Sequence, residues 1–154
     1  MDLRSTHYSR VTISLPDINV WIALVAEGHI HHIEARAWFE AQQDSSVAFC
    51  RITQMGFLRL LTNQFAMGRS PRTVAEAWAI FARLRGDRRV VFAGEPDGIE
   101  EEWEELMKRP GVGASSWTDA YLAALARRHL YTLVTFDKGM ATWADLKRIL
   151  LTVR

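Results

Sequence analysis

The stretch TLVTFDKGM, residues 132–140, takes a mostly apolar, partly β-branched run into Thr135, Phe136 and Asp137, and Lys138–Gly139 then break it. A strand that reads as buried but ends on a carboxylate either caps a turn or builds a site. Two further acids have similar addresses. Asp17 follows the short run VTISLP, and Asp119 stands near the start of SSWTDAYLAALARRH, residues 115–129, which feeds the strand before Asp137. In an open parallel sheet, ligands bind beyond the carboxyl ends of the strands. A helix that feeds such a strand begins at that same edge. Three acids far apart in sequence are therefore expected on one rim.

Taken singly, each acid has an ordinary use. Asp17 can cap the helix after Pro16, and Asp137 suits a turn. Asp119 complements a helix dipole, worth about 0.3–1 kcal/mol. Taken together they repel: two unit charges 4 Å apart cost roughly 4 kcal/mol at an effective dielectric of 20. A shared proton relieves this by raising a pKa, and a divalent cation relieves it by neutralisation. Oxygen ligands without cysteine or a paired-histidine motif suit Mg2+ or Mn2+ rather than Zn2+. Such an ion serves phosphoryl chemistry by activating water and by stabilising charge on phosphate oxygens.

The elements that must position these acids alternate. VTISL (11–15), VAFC (47–50), RVVFA (89–93) and TLVTF (132–136) read as strands, and LKRILLTV (146–153) as a fifth. Helices are expected over 18–28; over 31–44 with Ile33, Ala37, Trp38 and Ala41 inward; and over 53–63 with Thr53 as N-cap. Ser70–Pro71 opens another with Val74, Ala77, Trp78, Phe81 and Leu84 in register, and the last two cover about 97–108 and 115–129. Near-continuous apolar strands separated by helices point to an α/β fold with a mainly parallel sheet of four or five strands covered on both faces. Residues 1–10 read as a flexible leader and 11–154 as a single domain.

The bulk composition narrows the class. A chain of 154 residues with 49% hydrophobic content builds one core without disulfides. A lone cysteine, the absence of a signal-peptide pattern and the absence of a long apolar run suggest a cytoplasmic protein. A net charge of +1 is not that of a dedicated DNA binder, although RLRGDRR (83–89) is locally basic and EPDGIEEEWEEL (95–106) acidic. The histidines of GHIHHIE read as capping and surface residues, and Cys50 as a small core residue. Trp38, Trp78 and Trp103 fall on apolar helical faces, while Trp117 and Trp143 flank the acid-bearing segments, where one of them could line the path of a ligand.

With LPDINVWIAL, TQMGFLRLLTN, TDAYLAALARRH and TLVTFDKGM in this order, the chain resembles a PIN domain, and more narrowly the VapC-type ribonuclease toxins of toxin–antitoxin pairs. The resemblance covers about residues 11–153. It implies a three-layer α/β/α sandwich, an Mg2+- or Mn2+-dependent endoribonuclease, a small cognate antitoxin and a symmetric homodimer. The family's first acid falls on Asp17 and its later two on Asp119 and Asp137, which are the expected metal ligands. Its second acid, a Glu on the helix after the second strand, falls on Gln54 within about two residues, and Met55 and Gly56 supply no acid either. Gln54 could ligate a metal only through its amide oxygen, or orient a water. Asn19 could orient Asp17, Thr135 or Thr118 could hydrogen-bond a carboxylate, and Arg59 or Lys138 could meet RNA phosphate.

Two other readings compete. A haloacid-dehalogenase-type phosphatase also carries Asp after its first strand, but it would want a second Asp where Asn19 stands. A non-catalytic PIN-like module acting through its partner is the other.

Overall fold

The computed structural model describes residues 11–64, 66–67, 70–143 and 145–152. The expected leader, residues 1–10, lies outside the described residues. Among the described residues five strands form a single sheet: β1 (Ser14–Pro16), β2 (Val47–Cys50), β3 (Val90–Ala93), β4 (Thr132–Thr135) and β5 (Arg148–Leu150). Their order is β3-β2-β1-β4-β5, and every pairing is parallel. Among the described residues six α-helices accompany them: α1 (Ile18–Val25), α2 (His32–Glu40), α3 (Arg51–Leu61), α4 (Val74–Arg85), α5 (Ile99–Met107) and α6 (Trp117–His129).

The central strands β2 and β4 are buried at every position, as parallel strands covered on both faces must be. On one face Trp21 of α1 stacks on Phe49 of β2 at 3.7 Å between centroids, and Phe57 of α3 and Phe81 of α4 meet the same Phe49 ring edge-on. On the other face α5 and α6 pack over Leu15, Ala48, Cys50 and Leu133. These layers make the α/β/α sandwich. Chain order along the sheet reverses between β1 and β4, so the crevice favoured for ligands opens at their carboxyl ends.

Three helices differ from expectation. In α2 the buried pair is Ala35 and Phe39, while Ile33 is 78% exposed. Phe39 meets Trp21 edge-on at 6.3 Å, and that aromatic contact sets which face of this short helix turns inward. α3 begins at Arg51, two residues early, because β2 runs straight into it. Thr53 is therefore at the third helical position, where its Oγ1 accepts from the Cys50 N–H at 3.0 Å. α4 starts at Thr73, which forms a capping box with Glu76, rather than at Ser70–Pro71. Ala77 and Phe81 face the core, and Val74 and Trp78 are 67% and 52% exposed. Among the described residues no helix is long and apolar enough to cross a membrane.

Candidate active site

Register brings the sequence-distant residues abreast. Pro16 pairs with Val134, so the next residues stand side by side: Asp17 just past the end of β1 and Thr135 at the last position of β4. The Asp17 N–H extends the ladder by donating to the Val134 carbonyl at 2.9 Å. Its carboxylate is then fixed at both oxygens. Oδ1 accepts from the Val20 N–H at 3.1 Å and caps α1, while Oδ2 accepts from the Thr135 hydroxyl. Burial raises the Asp17 pKa to about 6; the Thr135 and Val20 bonds oppose that rise, and the Asp119 charge adds to it.

Asp119 sits in the first turn of α6, half-buried. Burial raises its pKa, and the Asp137 charge pushes the same way. Asp137 is exposed and accepts from the Gly139 N–H at 2.7 Å, closing the 3-10 turn Lys138–Thr142. Its own N–H donates to Thr135 Oγ1 at 2.9 Å. The Thr135 hydroxyl thus accepts from one acid's backbone and donates to the other acid's carboxylate.

The three carboxylates share one rim and are linked electrostatically in the order Asp17, Asp119, Asp137. They are not drawn into a single ligand set: among the described residues no group of three His, Cys, Asp or Glu side chains stands close enough to hold one ion. Asp137 has turned an oxygen onto the Gly139 turn, which keeps it outward. The donors still fit a hard cation in kind, because they are carboxylate oxygens, two of them desolvated and coupled.

The remaining site residues fall differently. Gln54 is 6% exposed, and its Oε1 accepts from the Arg51 guanidinium, so the amide oxygen expected to face a metal is already engaged. The α3 position that packs against Ile18, the residue after Asp17, is Gly56, where an added Cβ would lie 2.2 Å from Ile18 Cδ1. Asn19 reaches Asp17 through its backbone N–H, and its side chain is exposed. Arg59 is exposed in the last turn of α3, eight residues and about 12 Å along the helix from Arg51, and is not brought to the rim. Trp143 is buried in the core, whereas Trp117 is 54% exposed at the start of α6, with Trp103 Nε1 donating to its carbonyl at 3.0 Å. Arg51 escaped the sequence reading. The signal that singled out Asp17 and Asp137, a polar residue just past a strand end, applies equally to it.

Comparison with known proteins agrees with this fold. The family model for the PIN domain matches residues 14–146. Ribonuclease VapC41 of Mycobacterium tuberculosis is 42% identical over 142 residues, covering 89% of this chain and 97% of that protein. Among solved structures, Mycobacterium tuberculosis VapC20, described as a sarcin-ricin loop cleaving toxin, superposes with a TM-score of 0.66 at 21% identity, over 89% of this chain and 98% of that one. A toxin-antitoxin complex from Klebsiella pneumoniae superposes with a TM-score of 0.58 at 19% identity, over 83% of this chain and 89% of that one. With the family model matched over most of its length and a 42% identical VapC ribonuclease covered almost whole, the chain belongs to the PIN-domain family and, within it, to the VapC type.

Proposed function

We propose that this protein is a metal-dependent endoribonuclease, the toxin of a toxin–antitoxin pair, working in the cytoplasm on single-stranded or looped RNA. The observation that carries this reading is the row of acids at the β1–β4 switch point, in a chain 42% identical to a ribonuclease. Asp17, Asp119 and Asp137 are the residues that would hold Mg2+ or Mn2+, once the Asp137 carboxylate leaves the Gly139 N–H to join the other two. The ion, when bound, supplies charge neutralisation at the scissile phosphate and lowers the pKa of water. Thr135 and the Val20 N–H hold the Asp17 carboxylate in one orientation, so little reorganisation is needed when phosphate arrives. Asp119, in the first turn of α6, would accept a hydrogen bond from the attacking water.

The groove for the antitoxin would be a cavity of about 1100 Å³ between the end of α1 and α4, where Ile22, Val25, Ile80 and Leu84 are rimmed by Glu27, Arg72, Arg83 and Asp87. An apolar segment of the antitoxin docks there by burying its side chains. The exposed Val74 and Trp78 on α4 provide apolar surface for pairing of two copies.

Purified protein incubated with RNA and Mg2+ or Mn2+ should cut it. Asp17→Ala and Asp119→Asn should lose activity by a factor on the order of 10²–10³, the usual effect of removing one preorganised electrostatic group. If wild type leaves RNA intact and takes up no Mn2+ by calorimetry, the protein is instead a non-catalytic module acting through its antitoxin. The absence of an acid in the first turns of α3 gives that second reading its footing.

A further inference from the structure

Two guanidinium groups converge on one ring at the edge of the sheet. Arg51, the first residue of α3, lies over Phe92 of β3 at 4.9 Å from the ring centroid. Arg85, in the last turn of α4, lies over the same ring at 5.2 Å. Both residues are exposed, and among the described residues neither forms an ion pair with an acid. Like charges gathered without a counter-ion repel. Cation–π attraction to Phe92 offsets part of that and holds the groups in place, while their outer donors stay open.

Gln54 completes the arrangement. Its buried amide oxygen accepts from Arg51 Nη1 and fixes the fork from behind. A carboxylate at this position would make the same bond but would neutralise the guanidinium. The amide positions the cation and leaves its charge available. Arg51 also directly follows β2, whose last residue Cys50 stands one strand from Asp17 in the parallel register. Arg51 therefore leaves the sheet at the same edge as Asp17, and the strand that carries Phe92 lies two strand spacings, roughly 10 Å, from β1.

We propose that Arg51, positioned by Gln54 and Phe92 and assisted by Arg85, is a phosphate-binding site for the RNA strand beside the point of cleavage. A guanidinium with free donors in a planar fork suits a phosphate oxygen pair. This inference rests on the ribonuclease reading and specifies how that site holds its substrate. Gln54 is here a positioning residue, whose place in the family pattern is used for orienting a cation.

The test is binding of a fluorescein-labelled, mixed-sequence single-stranded RNA to the full chain in EDTA, which suppresses turnover, over a series of salt concentrations. Arg51→Gln should weaken binding about tenfold and lower the slope of log affinity against log salt by about 0.7, the value for one phosphate contact on a single strand. Arg51→Lys should recover the slope but only part of the affinity. Gln54→Glu should mimic Arg51→Gln, because the new carboxylate pairs with Arg51, while the thermal melt stays cooperative. Arg36→Gln, which removes an exposed arginine paired with Glu40, controls for net charge and should bind as wild type does. Wild-type affinity and slope in Arg51→Gln overturn the inference. So does tighter Mn2+ uptake by Gln54→Glu with unchanged RNA affinity, since Gln54 would then be a weakened acid position. If wild type cuts RNA while these variants bind it normally, only this inference falls. If wild type neither binds nor cuts RNA, the ribonuclease reading falls with it.

Discussion

The Thr135 hydroxyl donates to the Asp17 carboxylate across 118 residues of sequence, joining the ends of two parallel strands at the point where the sheet changes direction. The same oxygen accepts from the Asp137 N–H. One buried side chain thus sets the position of two acids.

Thr135→Val keeps the shape of this buried side chain and removes both bonds. The Thr135 bond opposes the burial-driven rise in the Asp17 pKa, so the variant's pKa should move above the wild-type value of about 6. The acid limb of the pH–rate profile should shift upward, with a stability loss of about 1–2 kcal/mol at neutral pH. An unmoved limb in a folded variant would show that the bond does not tune Asp17.

Stability should depend on pH through Asp17 in an unusual direction. An acid whose folded pKa is raised holds its proton in the folded state between 3.8 and about 6, where the unfolded chain has released it. Stability therefore falls as pH rises through that window. A shift of about two units corresponds to a penalty on the order of 3 kcal/mol above it. Asp17→Asn keeps the acceptor for Val20 and removes the charge. In EDTA it should melt higher than wild type at neutral pH and converge with it below the ordinary value of 3.8. Equal melting temperatures at neutral pH would refute the claim that this carboxylate is held at a cost.

Added Mn2+ should raise the melting temperature in a concentration-dependent way, by an amount equivalent to about 2.7 kcal/mol at a hundred times its Kd. Protons compete for the Asp17 oxygens, so the effect should fade as pH drops through about 6. Asp119→Asn should blunt it. A stabilisation that persists undiminished in Asp119→Asn would place the ion elsewhere on the protein.

Gly56→Ala pushes a Cβ into Ile18 Cδ1, next to Asp17. It should cost about 1–3 kcal/mol, the usual range for overpacking, and displace the start of α1. Ile18→Val, which removes that methyl, should restore part of the loss in the double variant. Additive denaturation midpoints for the two changes would mean that the two side chains do not meet as described.

The acids, their strand-end addresses and the alternating α/β order were legible in the sequence, because strand burial and helix caps are local patterns written in consecutive residues. The inward face of α2 was not, and in α4 Ala77, Phe81 and Leu84 were foreseen while Val74 and Trp78 were wrongly grouped with them, because apolar residues stand on two adjoining rows and only contact with Trp21 and Phe49 chooses between them. Gln54 posed the same difficulty. Its residue type announced a missing charge, but its orientation depends on Arg51, Phe92 and Arg85, which three separate elements bring together. Sequence alone determined which chemical groups this protein owns and at which edge of the sheet they emerge. Tertiary structure decided which of them touch, because hydrogen bonds and ring contacts between distant residues form only after register and packing have fixed the distances.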